Sequence, residues 1–101
     1  MATLNYLPAF EGDALAIWSY IAQENPTAAD ELVDKLYARC LLLIDHPLAG
    51  SARPDIAKGC RHLTLGRYVI LYRYEKGQVE LVRALDSRRK ISGKMFLTAL
   101  T

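Results

Sequence analysis

The apolar residues of this chain change their spacing part-way along it, and that change restricts the fold more than any other feature. Between Phe10 and Ile44 they recur every three or four residues, whereas beyond Cys60 they alternate or run continuously. A chain that is helical first and stranded afterwards predicts an α+β fold, with the helices gathered on one face of an antiparallel sheet. The 101 residues suit one domain, 1–101, and the 51% hydrophobic content is enough for a core.

The elements follow from local signals. Residues 3–7 are rich in strand formers and end at Pro8, which predicts a brief first strand. Phe10, Ala14, Ile17 and Ile21 define one face of a helix, which Leu15 and Trp18 widen. Asn25-Pro26 stops that helix, because the residue before a proline avoids the helical region. Thr27 to Asp30 fits a capping box that opens a second helix, and Leu32, Val33, Leu36, Tyr37, Cys40, Leu41, Leu43 and Ile44 form its broad apolar stripe. Asp45-His46-Pro47 closes it, and the short break between the helices implies an antiparallel hairpin. Residues 48–59 read as a loop.

Three strands in a meander come next: 60–65, 68–74 and 79–85, with turns at Gly66-Arg67 and Glu75–Gln78. In the last strand the alternation groups Val79, Leu81, Arg83 and Leu85 against Glu80, Val82 and Ala84. Residues 86–101 are a tail, basic then apolar, in which Ile91/Met95 and Phe96/Leu100 are pairs compatible with a short helix. The expected order is β-α-α-β-β-β plus this tail. The sheet face away from the helices is expected to stay partly open to solvent or to a partner.

Charge is divided as sharply as periodicity. Residues 1–50 carry two cations, Lys35 and Arg39, against seven carboxylates, and residues 51–101 carry eleven cations against four carboxylates. A net charge of +2 conceals this split between an acidic front and a basic back. No apolar run approaches the ~18 residues that span a bilayer, and no signal peptide is visible, so a cytoplasmic protein with no membrane role is expected. Cys40 and Cys60 are too few for a disulfide framework, have no partner histidine pair, and predict neither metal nor cofactor.

Ile17-Trp18-Ser19-Tyr20-Ile21-Ala22 followed by Asn25-Pro26, then His46-Pro47, Gly50, Arg53-Pro54-Asp55, Gly59, Arg61, Gly66-Arg67-Tyr68-Val69-Ile70, Tyr72-Arg73 and Val82-Arg83-Ala84-Leu85, ending at Arg89, resemble in order and spacing the ParE-type toxins of the RelE/ParE superfamily. Each motif is short, and their joint order from about Tyr6 to Arg89 carries the likeness. The resemblance implies a helical hairpin over an antiparallel sheet and a type II toxin–antitoxin system. It implies a cognate antitoxin, of ribbon-helix-helix kind, that carries any contact with operator DNA. ParE-like members inhibit DNA gyrase; RelE-like members cleave messenger RNA on the ribosome.

The residues favour the first branch. Cleavage of RNA needs a base and an acid beside its cations. RelE-like enzymes typically place a Tyr or His after the last strand, and residues 86–101 contain neither. His46 and His62 stand on a helix end and a strand, where a lone histidine is usually structural. The expected activity is therefore non-enzymatic binding of gyrase, with an mRNA endonuclease or an inactive antitoxin-binding relic as the alternatives. The candidate target surface is Arg61, Arg88, Arg89, Lys90, Lys94, Met95 and Phe96. The candidate antitoxin contacts are Trp18, Tyr37, Arg73 and Arg83. Bland readings stand beside these: Arg61 and Arg89 could fix the ends of the sheet, and Trp18, Tyr20 and Tyr37 could simply be core.

Overall fold

The computed structural model describes all residues 1–101 and contains β1 (Thr3–Tyr6), α1 (Pro8–Ala22), α2 (Pro26–Asp45), β2 (Ser51–Ala52), β3 (Arg61–Leu65), β4 (Tyr68–Glu75), β5 (Gln78–Asp86) and α3 (Gly93–Ala99). The α+β order read from the periodicity is present, with a two-residue β2 inside the expected loop and a short helix in the tail. One sheet runs β1-β5-β4-β3-β2. Its neighbours are antiparallel except β1, which lies parallel to β5 from Thr3↔Gln78 to Tyr6↔Leu81, so the sheet is mixed.

Pro8 occupies the first turn of α1, where its missing N–H is no loss. Pro26 does the same for α2, whose N-cap is Asn25: its side-chain oxygen accepts the Ala28 N–H at 3.0 Å. The expected Thr27–Asp30 box is therefore not the cap, because the proline starts the helix earlier. The hairpin covers one sheet face with a core of twelve buried residues that includes Phe10, Ala14, Leu36, Cys40, Leu43, Leu63, Ile70, Tyr72, Val79 and Leu81. Tyr6, Phe10 and Tyr37 pack as an aromatic trio at its margin, with centroids 5.1–5.7 Å apart.

The opposite face is not open. Eight buried residues form a second core there: Ile56, Ala57, Cys60, Val69, Leu71, Val82, Leu85 and Phe96. The loop before β3 and the helix α3 supply its cover. The register shifts from Leu71↔Arg83 to Tyr72↔Leu81, so β5 carries one extra residue, a bulge. This overturns the simple alternation: Val79, Leu81 and Ala84 join the first core, while Val82 and Leu85 join the second.

Three apolar residues assigned to the helix faces point outward instead. Leu15 is 64% exposed and Leu41 55%, and Trp18, at 37%, turns its indole N–H to Asp30 Oδ1 at 2.8 Å. Tyr20 is 70% exposed. A hairpin buries only the stripe that meets the sheet, and these side chains lie outside it.

The sheet edges are managed by side chains. Where β1 ends, β5 continues, and the Asp13 carboxylate of α1 accepts the Ala84 N–H at 3.0 Å. On the other side Arg39 of α2 donates to the Thr64 carbonyl at 3.1 Å.

Candidate functional site

Two constellations of motif residues stand out, and their roles differ. The first locks the turn after α2. Tyr72 donates its hydroxyl to the Pro47 carbonyl and accepts the Gly50 N–H, both at 2.9 Å. Arg61 donates to the carbonyls of Gly50, at 2.7 and 3.1 Å, and Leu48, at 3.1 Å. A Cβ on Gly50 would lie 2.6 Å from both the Tyr72 ring and the His62 carbonyl, so only glycine fits. His46-Pro47, Gly50, Arg61 and Tyr72 thus build one structural knot, and Arg61, a candidate target contact, is engaged inside the chain.

The second constellation is a cleft of about 300 Å³ between α1 and the far end of the β4–β5 ladder. Ile17 and Tyr20 form one wall, Arg67 and Tyr68 the opposite one, and Asp86, Arg88 and Arg89 the rim. The ladder opposes Tyr68 to Asp86, so the turn before β4 and the turn after β5 converge. Arg67 lies over the Tyr68 ring at 5.3 Å and reaches Asp86 at 3.5 Å. Arg88 grips Asp86 through Nε at 3.1 Å and Nη2 at 2.9 Å, and its N–H adds a third bond at 2.9 Å. Those hydrogen bonds from Arg88 hold the Asp86 carboxyl down at about 2, so it is ionised throughout the physiological range.

Deeper in the wall, Arg83 binds Asp13 by two bonds, 2.6 and 2.9 Å, and touches the Met95 carbonyl at 3.4 Å. A second, more apolar groove continues from the cleft past Arg67 and Tyr68 to Ile21, Leu32 and Leu65, with a volume of about 360 Å³.

The candidate target residues do not form one patch. Arg88 and Arg89 line the cleft, whereas Lys90 and Lys94 are exposed but do not line it. Arg89, Lys90 and Lys94 have no ion-pair partner. Met95 is half-buried, and Phe96, at 1% exposure, is the plug of the second core, so it does not face a partner in this conformation. Among the candidate antitoxin contacts, Trp18 is accessible and Tyr37 half-buried in the aromatic trio. Arg73 is paired with Glu80 near the β4–β5 turn, and Arg83 with Asp13.

Tyr20 and Arg67, motif residues that are not among the candidate contacts, also line the cleft. The available signal was the hairpin register, which sets Arg67 and Arg88 on either side of one carboxylate.

Neither histidine lines the cleft. His62 is half-buried with an unpartnered Nδ1, and burial pulls its pKa down. Burial pushes the thiols up, Cys40 to about 12 and Cys60 to about 11, so neither is a nucleophile at neutral pH. No cluster of three His, Cys, Asp or Glu side chains is placed to hold a metal ion, and no helix is long and apolar enough to cross a membrane.

A helical hairpin packed on a five-stranded sheet, with a cleft at one end lined by Arg67, Arg88 and Arg89 as well as Asp13 and Asp86, defines a small α+β domain. Among solved structures it is similar to a chain of the chromosomal ParDE TA system from P. aeruginosa, with a TM-score of 0.74 and 22% identity, over 85% of this chain and 96% of that one. No curated protein sequence matches the chain. The sequence model of the ParE toxin of type II toxin-antitoxin system, parDE, matches residues 4–91, and the chain belongs to that family. The family implies a cognate antitoxin as partner.

Proposed function

We propose that this chain acts in the cytoplasm as a gyrase-directed toxin: it binds DNA gyrase through the segment Arg89 to Lys94 and inhibits it without catalysing a reaction. A cognate antitoxin, of ribbon-helix-helix kind, neutralises it and carries any contact with operator DNA. Beyond family membership, one observation supports this reading. Arg89, Lys90 and Lys94 are exposed and unpaired in a chain whose other motif arginines, Arg53, Arg61, Arg73 and Arg83, are all engaged internally. Cations left without a partner inside the chain are available to one outside it.

The test is a supercoiling assay with purified gyrase, run beside translating ribosomes carrying a defined message. Inhibition of supercoiling that is lost in an Arg89→Glu/Lys90→Glu/Lys94→Glu variant is expected. Codon-specific cleavage of the message with supercoiling intact would replace this reading with the endonuclease one. Inertness in both assays would mark a relic that only binds its antitoxin.

A further inference from the structure

The covers of the two sheet faces carry opposite charge. Residues 8–45, which roof the first core, hold two cations against seven carboxylates. Residues 53–60 and 86–101, which supply the cover of the second, hold six cations against two carboxylates. Both of those carboxylates are already taken. Asp55 accepts from Arg53 at 2.8 and 3.0 Å, and Asp86 from Arg88 at 2.9 and 3.1 Å. Lys58, Arg89, Lys90 and Lys94 are exposed and have no ion-pair partner. The two covering segments also touch. A Cβ on Gly93 would clash with the Ile56 carbonyl, so Lys94 and Lys58 sit one and two residues from a shared contact.

We propose that this basic cover is a binding surface for duplex DNA, held through its phosphates and without regard to sequence. Lys58, Lys90 and Lys94 meet the phosphates, and Arg89 stands where the surface borders the cleft. The hairpin, with its excess of carboxylates, is repelled by the same phosphates. The charge split therefore orients the chain on the double helix before contact is made. This surface goes beyond the gyrase reading and holds with or without it. Where both hold, a chain resting on DNA is already on the polymer that its target works on.

The residue types decide among polyanions. A single strand calls for aromatic platforms on which its bases stack. The one aromatic residue in the two covering segments is Phe96, and it is 1% exposed. Reading of base edges calls for asparagine, glutamine or a free arginine in a groove. These segments hold no asparagine or glutamine, and Arg53 and Arg88 are bound to carboxylates. The charge also spreads past the strip Arg89 to Lys94 onto Lys58 of a separate segment, and Leu97 is the one large apolar side chain exposed there. That spread fits an extended row of phosphates better than a second compact protein contact.

The experiment measures fluorescence anisotropy of labelled duplexes of about 20 base pairs, in two unrelated sequences, with the full chain between about 50 and 200 mM salt. Both sequences should bind alike, with a log–log salt slope of about −3 to −4, the value for three or four neutralised phosphates. Lys58→Ala, Lys90→Ala and Lys94→Ala should each flatten that slope by about 1 with unchanged circular dichroism. Lys35→Ala, on the hairpin, should leave it unaltered. No binding at the lowest salt, or equal loss in Lys35→Ala, would overturn the surface. Tighter binding of a single strand, or displacement of the duplex by polyglutamate of matched charge, would overturn it in favour of another anion. The gyrase reading fails separately. Supercoiling inhibited by a chain that binds no duplex leaves that reading intact and sinks this one. Duplex binding lost stepwise in the lysine variants, with supercoiling never inhibited, supports this one and sinks the other.

Discussion

The two faces of the sheet are covered in different ways. One is roofed by α1 and α2, of 15 and 20 residues, over a core of twelve buried side chains. The other is roofed by a loop and the seven-residue α3, over eight. Long amphipathic helices hold themselves in register and bury their stripe along its length. A helix of two turns has little stability of its own and persists because Phe96 is seated. The carbonyl of Ile56 also touches α3 so closely that a Cβ on Gly93 would lie 2.3 Å from it. The first face is a structural core, whereas the second is a docked segment.

That contrast predicts unequal costs. Phe10→Ala, in the first core, should lower global stability by about 3–5 kcal/mol in urea unfolding, the usual loss for a buried phenylalanine. Phe96→Ala removes the same atoms but should cost only about 1–3 kcal/mol, because α3 can lift away instead of leaving a rigid cavity. Its sharper signature is loss of amide-exchange protection over residues 93–99. Equal costs and no local loss of protection would mean that the two faces unfold as one unit.

A finer comparison uses the cysteines, one in each core. Both thiols are protonated at pH 8, so labelling reports opening rather than intrinsic reactivity. Gly93→Ala should raise the labelling rate of Cys60 several-fold and leave Cys40 unchanged, as read by mass spectrometry of the alkylated chain. Acid acts at the end of β5, in the cleft against α1. The carboxyl of Asp86 titrates at about 2, below the ~3.9 of an unfolded chain. A lowered carboxylate stabilises the fold above the unfolded value and ceases to do so as pH falls through the folded one. The Arg67–Asp86–Arg88 tie should therefore loosen between pH ~4 and ~2, visible as tail-specific exchange before the helices melt. The smallest effect belongs to Trp18→Phe, expected within ~0.5 kcal/mol because its hydrogen bond to Asp30 is exposed.

The same contrast explains what was legible. The hairpin and the β3–β4–β5 meander announce themselves by period, turn residues and prolines, all local signals. The bulge at Val82 does not, because one inserted residue leaves the apolar pattern plausible in either register while exchanging the faces of Arg83, Ala84 and Leu85. The second core is not legible in the spacing because its covering parts, Ile56-Ala57 in a loop and Phe96 in a short helix, lie forty residues apart with no shared period. The spacing places Trp18 on the buried face of α1, but the stripe that meets the sheet excludes it. At the site, Arg88 and Arg89 were visible as charges, but Tyr20 and Arg67 became meaningful only when the ladder set Tyr68 opposite Asp86.

The Asp13 and Arg39 caps bear on how this molecule meets others. A sheet edge with unsatisfied N–H and C=O groups invites another chain to add a strand. Here the outermost strands are four and two residues long, and a carboxylate and a guanidinium occupy the ladder positions just beyond them. Strand addition is thereby discouraged at both margins, and association must proceed through side-chain surfaces. Two side chains of the hairpin, Asp13 and Arg39, thus leave the sheet few free ladder positions along which copies of the chain could stack.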